Sequence, residues 1–425
     1  MRFAIVNLGC KVNRVESDSF AALLLNSGAE ESSVEHADAV VVNTCAVTGE
    51  AEKKTRKAVR SVLRENALAT VLVTGCSAAL RPQVFTEMSE RVCVVPKADL
   101  PGEIKRLAAS SSLSQCRYGQ DGTIGLSDDE PLLRIGKSFP TRVGVKVQDG
   151  CNNACTYCIV HVARGPAVSM PFEQILAECV RYARAGVKEI VLTGINLGSY
   201  CDTSERKPRT LAHLLSELLE STRRYASSDE PACRFRISSV EPKDVDEGLI
   251  EILAASEGRV CRHLHLPLQS GSTKVLREMA RPYDADYYVD LASTLRKRVP
   301  QLSLSTDIIV AFPGETDEDF NATLSVAEEC AFSKIHVFPY SKREGTPAAE
   351  RVDQVPGAQA VDRARQLRIL AKQLRSADYR ARTGSCERVL VEQRGRGMTE
   401  SYYEIAVPSH LPVGSLTLLS LPADA

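Results

Sequence analysis

Cys151, Cys155 and Cys158 lie in the stretch DGCNNACTYCIVHVARG, at Cys-x-x-x-Cys-x-x-Cys spacing on a loop of small and polar residues. Three thiolates so spaced can curl around one 4Fe–4S cube and leave its fourth iron without a protein ligand, open to a substrate. A Cys-x-x-Cys pair also serves zinc or a redox dithiol, and His161 could complete a Cys3His zinc set. Zinc spacing commonly pairs two such knuckles, and this chain has only one.

Three further cysteines, far apart in sequence, occupy equivalent places. Cys10 follows the apolar run FAIVNL, Cys45 follows ADAVVVNT and Cys76 follows ATVLVTG. Each run reads as a strand, and helical spacing intervenes from about residue 14 to 26, ended by Gly28, and over GEAEKKTRKAVRSVLRE. Such βαβ alternation over residues 1 to 109 argues an open parallel α/β sheet. The carboxyl ends of its strands share one edge, where ligands bind, so Cys10, Cys45 and Cys76 are expected to meet there. One free cysteine would mean only a buried small residue. Three in equivalent positions, beside Gly9, Asn43, Thr44 and Gly75, indicate a second metal site.

A chain of 425 residues implies two or three domains. The expected boundaries are 1–112 for the amino-terminal sheet domain, 113–136 for a Ser-, Gly- and Asp-rich linker containing Cys116, 137–375 for a core, and 376–425 for a small tail domain. Net charge is −1, so any nucleic-acid contact must be local. No apolar run reaches membrane-spanning length. Met1 leads straight into a strand, and fourteen cysteines suit reducing, cytoplasmic conditions.

From about residue 141 to 340, VGVKVQDG, KEIVLTG, FRISSVE, HLHLPLQ, LSTDIIVAF and KIHVFPY alternate with helical stretches, one capped by Pro171 and another opening at Thr316 and Asp317. Six βα steps suit a partial TIM-type barrel, whose working groups lie at strand carboxyl ends. Cys151, Gly194, Glu241, Gln269, Pro313 with Gly314, and Pro339 with Tyr340 all occupy such exits. A basic helix from about residue 357 to 382 reads as a solvated face. The short strands CERVLVEQ, SYYEIAVP and GSLTLLSL then imply a small β-barrel that needs its neighbour for stability. Its segment RGRGMTESYY places Arg394 and Arg396 near Tyr402 and Tyr403, a mix suited to phosphate contact and base stacking.

The central cysteine stretch, with Tyr157 before its third cysteine, resembles the radical SAM signature. LGCKVN, VVNTCAVT and TGC resemble the three cysteine motifs of the methylthiotransferases, a radical SAM family carrying two 4Fe–4S clusters. LGCKVN followed by ES, and VVNTCAVT followed by KKTRKAVR, are most similar to the MtaB-type branch, which acts on tRNA. The resemblance implies that Cys151, Cys155 and Cys158 hold the cluster that chelates S-adenosyl-L-methionine, and that Cys10, Cys45 and Cys76 hold an auxiliary cluster. It implies S-adenosylmethionine contacts from Gly194, Ser239, Glu241, Gln269 and Gly314, and a tail like the TRAM domain, an OB-like tRNA-binding module.

The activity so implied is methylthiolation of carbon 2 of threonylcarbamoyladenosine at position 37 of tRNA. A 5′-deoxyadenosyl radical would remove the hydrogen, and a second S-adenosylmethionine would methylate sulfur at the auxiliary cluster. The expected partners are a tRNA anticodon stem-loop and an electron donor such as flavodoxin or ferredoxin, with no membrane and no DNA. Relatives generally read Ile-Ile-Pro-Tyr-Ala-Arg-Gly after the third cysteine, whereas His161 and Val162 replace the proline and tyrosine here. The alternatives are the same chemistry on isopentenyladenosine or on a ribosomal-protein aspartate, and a non-catalytic zinc-containing RNA-binding protein.

Overall fold

The structure, a computed structural model, describes residues 1–110, 141–226 and 232–423. The expected linker and Cys116 lie outside them. The chain forms two compact units: residues 1–138 together with 159–165, and residues 139–158 together with 166–425. Among the described residues no helix is long and apolar enough to cross a membrane.

In the first unit, strands β1 (Arg2–Asn7), β2 (Glu30–Glu31), β3 (Ala39–Thr44), β4 (Thr70–Gly75) and β5 (Val92–Val94) form a parallel sheet in the order β2-β1-β3-β4-β5. Alternate residues feed opposite faces. Val40, Val42, Val71 and Val73 pack with Val59 and Val62 of the helix Gly49–Glu65. Val41 and Leu72 pack with Phe20 and Leu24 of the helix Lys11–Asn26 and with Leu100 and Ile104. A sheet covered on both faces needs apolar residues at every strand position, and the run AVVV supplies them. This strand order switches direction between β1 and β3, and a crevice for ligands opens at such a switch point. Residues 159–165 also belong to this unit, and their short helix Val160–Arg164 packs on the helix Cys76–Leu80.

In the second unit, β6 (Val143–Lys146), β7 (Glu189–Thr193), β8 (Arg234–Ile237), β9 (His263–His265), β10 (Ser303–Val310) and β11 (Lys334–Pro339) pair in parallel. Single parallel bridges from Phe235 to Val260 and from Ser239 to His265 join the two halves, so the six strands follow one another in chain order around an open barrel. Pro171 stands at the N-cap of the helix Phe172–Arg184, and Thr316 caps Asp317–Glu329 through a capping box with Asp319. The six expected βα steps are all present.

The tail is a four-stranded antiparallel sheet of β12 (Cys386–Gln393), β13 (Arg396–Thr399), β14 (Glu404–Ala406) and β15 (Leu416–Ser420), in the order β14-β13-β12-β15. The helix Gly357–Arg382 runs unbroken through the expected boundary at 375/376, because Tyr379 near its end belongs to the core of the tail with Val389, Tyr403 and Ile405.

The expectation that Tyr402 and Tyr403 present stacking faces to RNA is corrected by this packing. Tyr403 is buried, with its hydroxyl donating to Asp378 Oδ2 at 2.7 Å. Tyr402, held at φ +72°, stacks on His263 with ring centroids 4.9 Å apart and lies under the Arg236 guanidinium. Arg236 and Arg234 are fully buried, and they donate to the carbonyls of Arg388, Met398, Thr399 and Glu400. Tyr402 faces the barrel because Arg236 gives it a cationic surface to cover, while Tyr403 packs on Tyr379 and Arg375 of the long helix.

Candidate cluster sites

Cys10 is the N-cap of the first long helix, Cys45 follows β3 directly, and Cys76 opens the helix after β4. Register aligns these exits: Asn7 pairs with Asn43, and Thr44 pairs with Gly75. Polar side chains then tie the loops together. Asn13 Nδ2 donates to the Thr44 carbonyl at 2.9 Å, Thr44 Oγ1 donates to the Thr74 carbonyl at 2.6 Å, and the Ala78 amide donates to Thr44 Oγ1 at 3.1 Å. Gly75 has φ +97°, and a Cβ there would lie 2.4 Å from the Thr44 carbonyl oxygen, so only glycine fits. A Cβ on Gly9 would come within 3.0 Å of Cys45 Cβ.

Cys45 is buried, which pushes its thiol up, and Cys10 and Cys76 push it further the same way. Three thiols brought together from separate loops repel one another when ionised, and a bound cation reverses that repulsion. The donor set therefore suits an iron–sulfur cluster. In the same unit, Arg164 donates to Glu16 at 3.0 Å and to Asn13 Oδ1 at 2.7 Å, and Lys97 also bonds Glu16. Arg164 thus braces the loop of Cys10 through Asn13. His161 is half-buried in the short helix Val160–Arg164.

In the second unit the loop after β6 carries Cys151, Cys155 and Cys158. Gln148 shapes it, with Nε2 donating to the carbonyls of Asp149 and Gly150 at 2.7 and 2.8 Å and Oε1 accepting from the Asn196 amide at 2.9 Å. Thr156 anchors it by donating Oγ1 to the Glu278 carbonyl and its amide to the Met279 carbonyl. Cys151 Sγ accepts from the Asn153 amide at 3.4 Å, and Cys155 Sγ accepts from Arg281 Nη1 at 3.2 Å. The other end of Arg281 holds Glu241. Burial raises the Cys151 thiol, opposed by the Asn153 amide and reinforced by Cys155 and Glu241. N–H donors aimed at sulfur are what a cluster loop provides, and the loop fits a cube.

The remaining candidates fall into distinct settings. Glu241 joins the Cys155 site through Arg281, and burial raises its carboxyl while Arg281 draws it back. Ser239 bridges to His265 at the exit of β8. Gln269 has φ +69° and bonds through its backbone to Asp307 and Ile309, a strained conformation of the kind that collects at ligand sites. Gly194 packs on Gln148, where a Cβ would come 2.9 Å from Oε1, so its missing side chain serves the loop of Cys151. Gly314 closes a turn whose amide donates to the Asp353 carbonyl and whose carbonyl accepts from Lys274.

Several residues of the site carry no signal that spacing alone reveals. Arg281 sits in ARPYDAD, far in sequence from the cysteines it serves. His265, Asp307 and His336 come from three adjacent strands, with donor atoms all within 4.8 Å of one another and His265 Nδ1 bonded to Ser305 at 3.0 Å. Their alternation within HLHLPLQ, LSTDIIVAF and KIHVFPY was the available clue. The set can grip a polar ligand or a cation inside the barrel.

Residues 145–327 match the radical SAM superfamily, and residues 2–95 match the uncharacterized protein family UPF0004. The threonylcarbamoyladenosine tRNA methylthiotransferase MtaB of Bacillus subtilis is 38% identical over 379 residues, covering 87% of this chain and 80% of that protein. This chain belongs to the MtaB-type methylthiotransferase family. The tRNA-2-methylthio-N(6)-dimethylallyladenosine synthase of Bacillus pumilus, from a sister branch, is 35% identical, covering 94% of this chain and 78% of that protein. Among solved structures, a radical S-adenosylmethionine methyltransferase, TsrM, from Kitasatospora setae shares the fold, with TM-score 0.56 at 14% identity over 82% of this chain and 77% of that one. Family membership makes this methylthiotransferase an enzyme that uses S-adenosylmethionine and 4Fe–4S clusters.

Proposed function

We propose that this methylthiotransferase modifies carbon 2 of threonylcarbamoyladenosine at position 37 of tRNA. The observation that carries the reading is the convergence of Cys10, Cys45 and Cys76 at one edge of the first sheet, in a chain whose barrel unit carries its own loop of Cys-x-x-x-Cys-x-x-Cys form. Two clusters are what attachment of a sulfur-bearing group to an unactivated carbon asks for. An aromatic C–H offers neither an acidic proton nor a leaving group, so an acid or base alone cannot open it.

Cys151, Cys155 and Cys158 would hold one cluster, and Cys10, Cys45 and Cys76 the auxiliary one. Bound there with S-adenosylmethionine, the clusters supply one-electron chemistry and a site for sulfur. The chain's own residues orient and enclose. Arg281 fixes Cys155 and Glu241 together, and Gln148 fixes the entry to the cysteine loop. Glu241, Ser239 and Gln269 line strand exits where the polar parts of S-adenosylmethionine would bind, while Gly194 and Gly314 shape the adjoining turns. Residues 386–421 would serve as the TRAM module. An electron donor of the flavodoxin or ferredoxin type and a cytoplasmic setting complete the proposal, with domains of 1–112 and 137–375 and a tail of 376–425 that shares the helix Gly357–Arg382 with the core.

The test is mass spectrometry of tRNA nucleosides from a deletion strain, complemented with the wild-type gene or with each triple cysteine-to-alanine variant. Loss of methylthio-threonylcarbamoyladenosine, restored only by the wild type, is the expected result. An unchanged profile overturns the reading. The relative in Bacillus pumilus supports a second acceptor, dimethylallyladenosine, and loss of its methylthio form in the same experiment would assign that instead.

A further inference from the structure

The helix Gly49–Glu65 begins four residues after Cys45 and buries Thr55, Val59 and Val62 against its own unit. Its opposite face carries Lys53, Arg56, Lys57, Arg60 and Arg64, which line a shallow depression with no other residue type in the lining. Lys53, Lys57, Arg60 and Arg64 are exposed and Arg56 is half-buried. Steps of three and four residues set them in one stripe, roughly 16 Å long at 1.5 Å per residue.

The carboxylates of this helix stand at its ends, Glu50 and Glu52 in the first turn and Glu65 at the last position. Glu50 pairs with Lys54, off the stripe, and Glu65 accepts from Ser61. Among the described residues, Lys53, Arg56, Lys57 and Arg60 form no ion pair, and Arg64 reaches only Ser61 Oγ at 3.4 Å.

An ordinary solvated helix face interleaves the two signs, because like charges three or four residues apart weaken the helix. Lys53 with Lys57, Arg56 with Arg60, and Arg60 with Arg64 are such like-charged neighbours. General composition does not account for them, since the chain carries 53 basic and 54 acidic residues. Protein interfaces centre on apolar and aromatic groups, and the stripe offers none. A linear array of unpaired cations on long side chains matches a polyphosphate backbone.

We propose that this stripe is a phosphate track for tRNA, making the amino-terminal domain an RNA-binding surface in addition to the tail; the inference rests on the tRNA reading above. It positions the nucleic acid without reading its sequence. The test measures binding of the full-length, cluster-loaded protein to tRNA purified from the deletion strain, across a series of salt concentrations. The variant Lys57→Gln/Arg60→Gln is compared with Lys57→Arg/Arg60→Lys and with Lys54→Gln as an off-stripe control. Each lost phosphate contact lowers the slope of log affinity against log salt by roughly 0.7–0.9.

The glutamine pair is expected to lower the slope by about 1.5 and weaken binding roughly tenfold at moderate salt, with iron content unchanged. The charge-preserving pair and Lys54→Gln should bind like the wild type. An unchanged slope for the glutamine pair overturns the proposal. So does normal tRNA binding combined with slower reduction by flavodoxin, which would assign the stripe to an acidic protein partner. Binding is read independently of turnover, so the absence of a methylthio product from the wild type would count against the proposed acceptor and leave this measurement standing.

Discussion

Asn43 and Asn13 hold each other across the switch point of the first sheet. Asn43 Nδ2 donates to the Asn13 carbonyl at 2.9 Å, and Asn13 Nδ2 donates to Asn43 Oδ1 at 3.2 Å, both fully buried. Since Asn43 lies two residues before Cys45 and Asn13 three after Cys10, the pair sets the separation of two proposed ligands. Asn43→Ala removes the side-chain bonds to the Asn13 carbonyl and to Ser17 Oγ. Each such bond contributes about 0.5–1.5 kcal/mol. Denaturant unfolding is expected to show that loss, and purified protein should lose part of its iron. Full iron content in the variant would mean that the pair serves stability alone.

Separate triple-alanine variants of the two cysteine triads should divide the metal. Anaerobically prepared wild type is expected to hold about eight irons per chain and each variant about four. Colourless wild-type protein containing zinc would return the chain to the non-catalytic reading.

Arg281 gives a prediction that a purely structural arginine would not. Its donation to Cys155 Sγ withdraws charge from a proposed ligand sulfur, and hydrogen bonds to sulfur are one of the terms that set cluster potential. Arg281→Gln is therefore expected to keep its iron while the midpoint potential of the barrel cluster falls by on the order of tens of millivolts. Spectroscopic redox titration reads the shift, and an unaltered potential removes Arg281 from that role.

Glu189 lies fully buried among Arg142, Arg234 and Arg236. Burial raises its carboxyl, but Arg236, Arg234 and Arg142 together outweigh burial and hold it well below the ordinary value of 4.5. A depressed folded-state pKa stabilises the protein above the unfolded value, and that contribution is lost as pH falls through the folded one. Glu189→Gln leaves buried guanidiniums uncompensated, at a cost of about 3–5 kcal/mol. The gap between wild type and variant in guanidine unfolding should hold constant from about pH 6 to 8. A gap that closes within this range would show that Glu189 titrates there.

The strands that end at Cys10, Cys45 and Cys76 were legible because each apolar run stops at a small or polar residue, and parallel strands must share an exit edge. The six barrel strands were legible for the same reason. Arg234 and Arg236 were not, since alternating charge in RFRI reads as a solvated face, whereas an open barrel lets Glu189 meet both inside. Tyr402 and Tyr403 misled in the same manner: an aromatic pair near arginines looks alike whether it faces RNA or covers the protein's own cations, Arg236 for one and Arg375 for the other. Only long-range pairing separates those cases, and it leaves no local periodicity.

Two guanidiniums rooted in the barrel hold four carbonyls of the carboxy-terminal sheet, and an aromatic ring from that sheet closes over one of them. Cutting the chain after the long helix would thus do more than remove a module. It would expose the buried cluster of Glu189, Arg234 and Arg236 to water and leave both arginines without their carbonyl acceptors. Truncation is for that reason a poor probe of what the tail contributes to RNA, and single exposed side chains such as Arg394 and Arg396 are the place to ask.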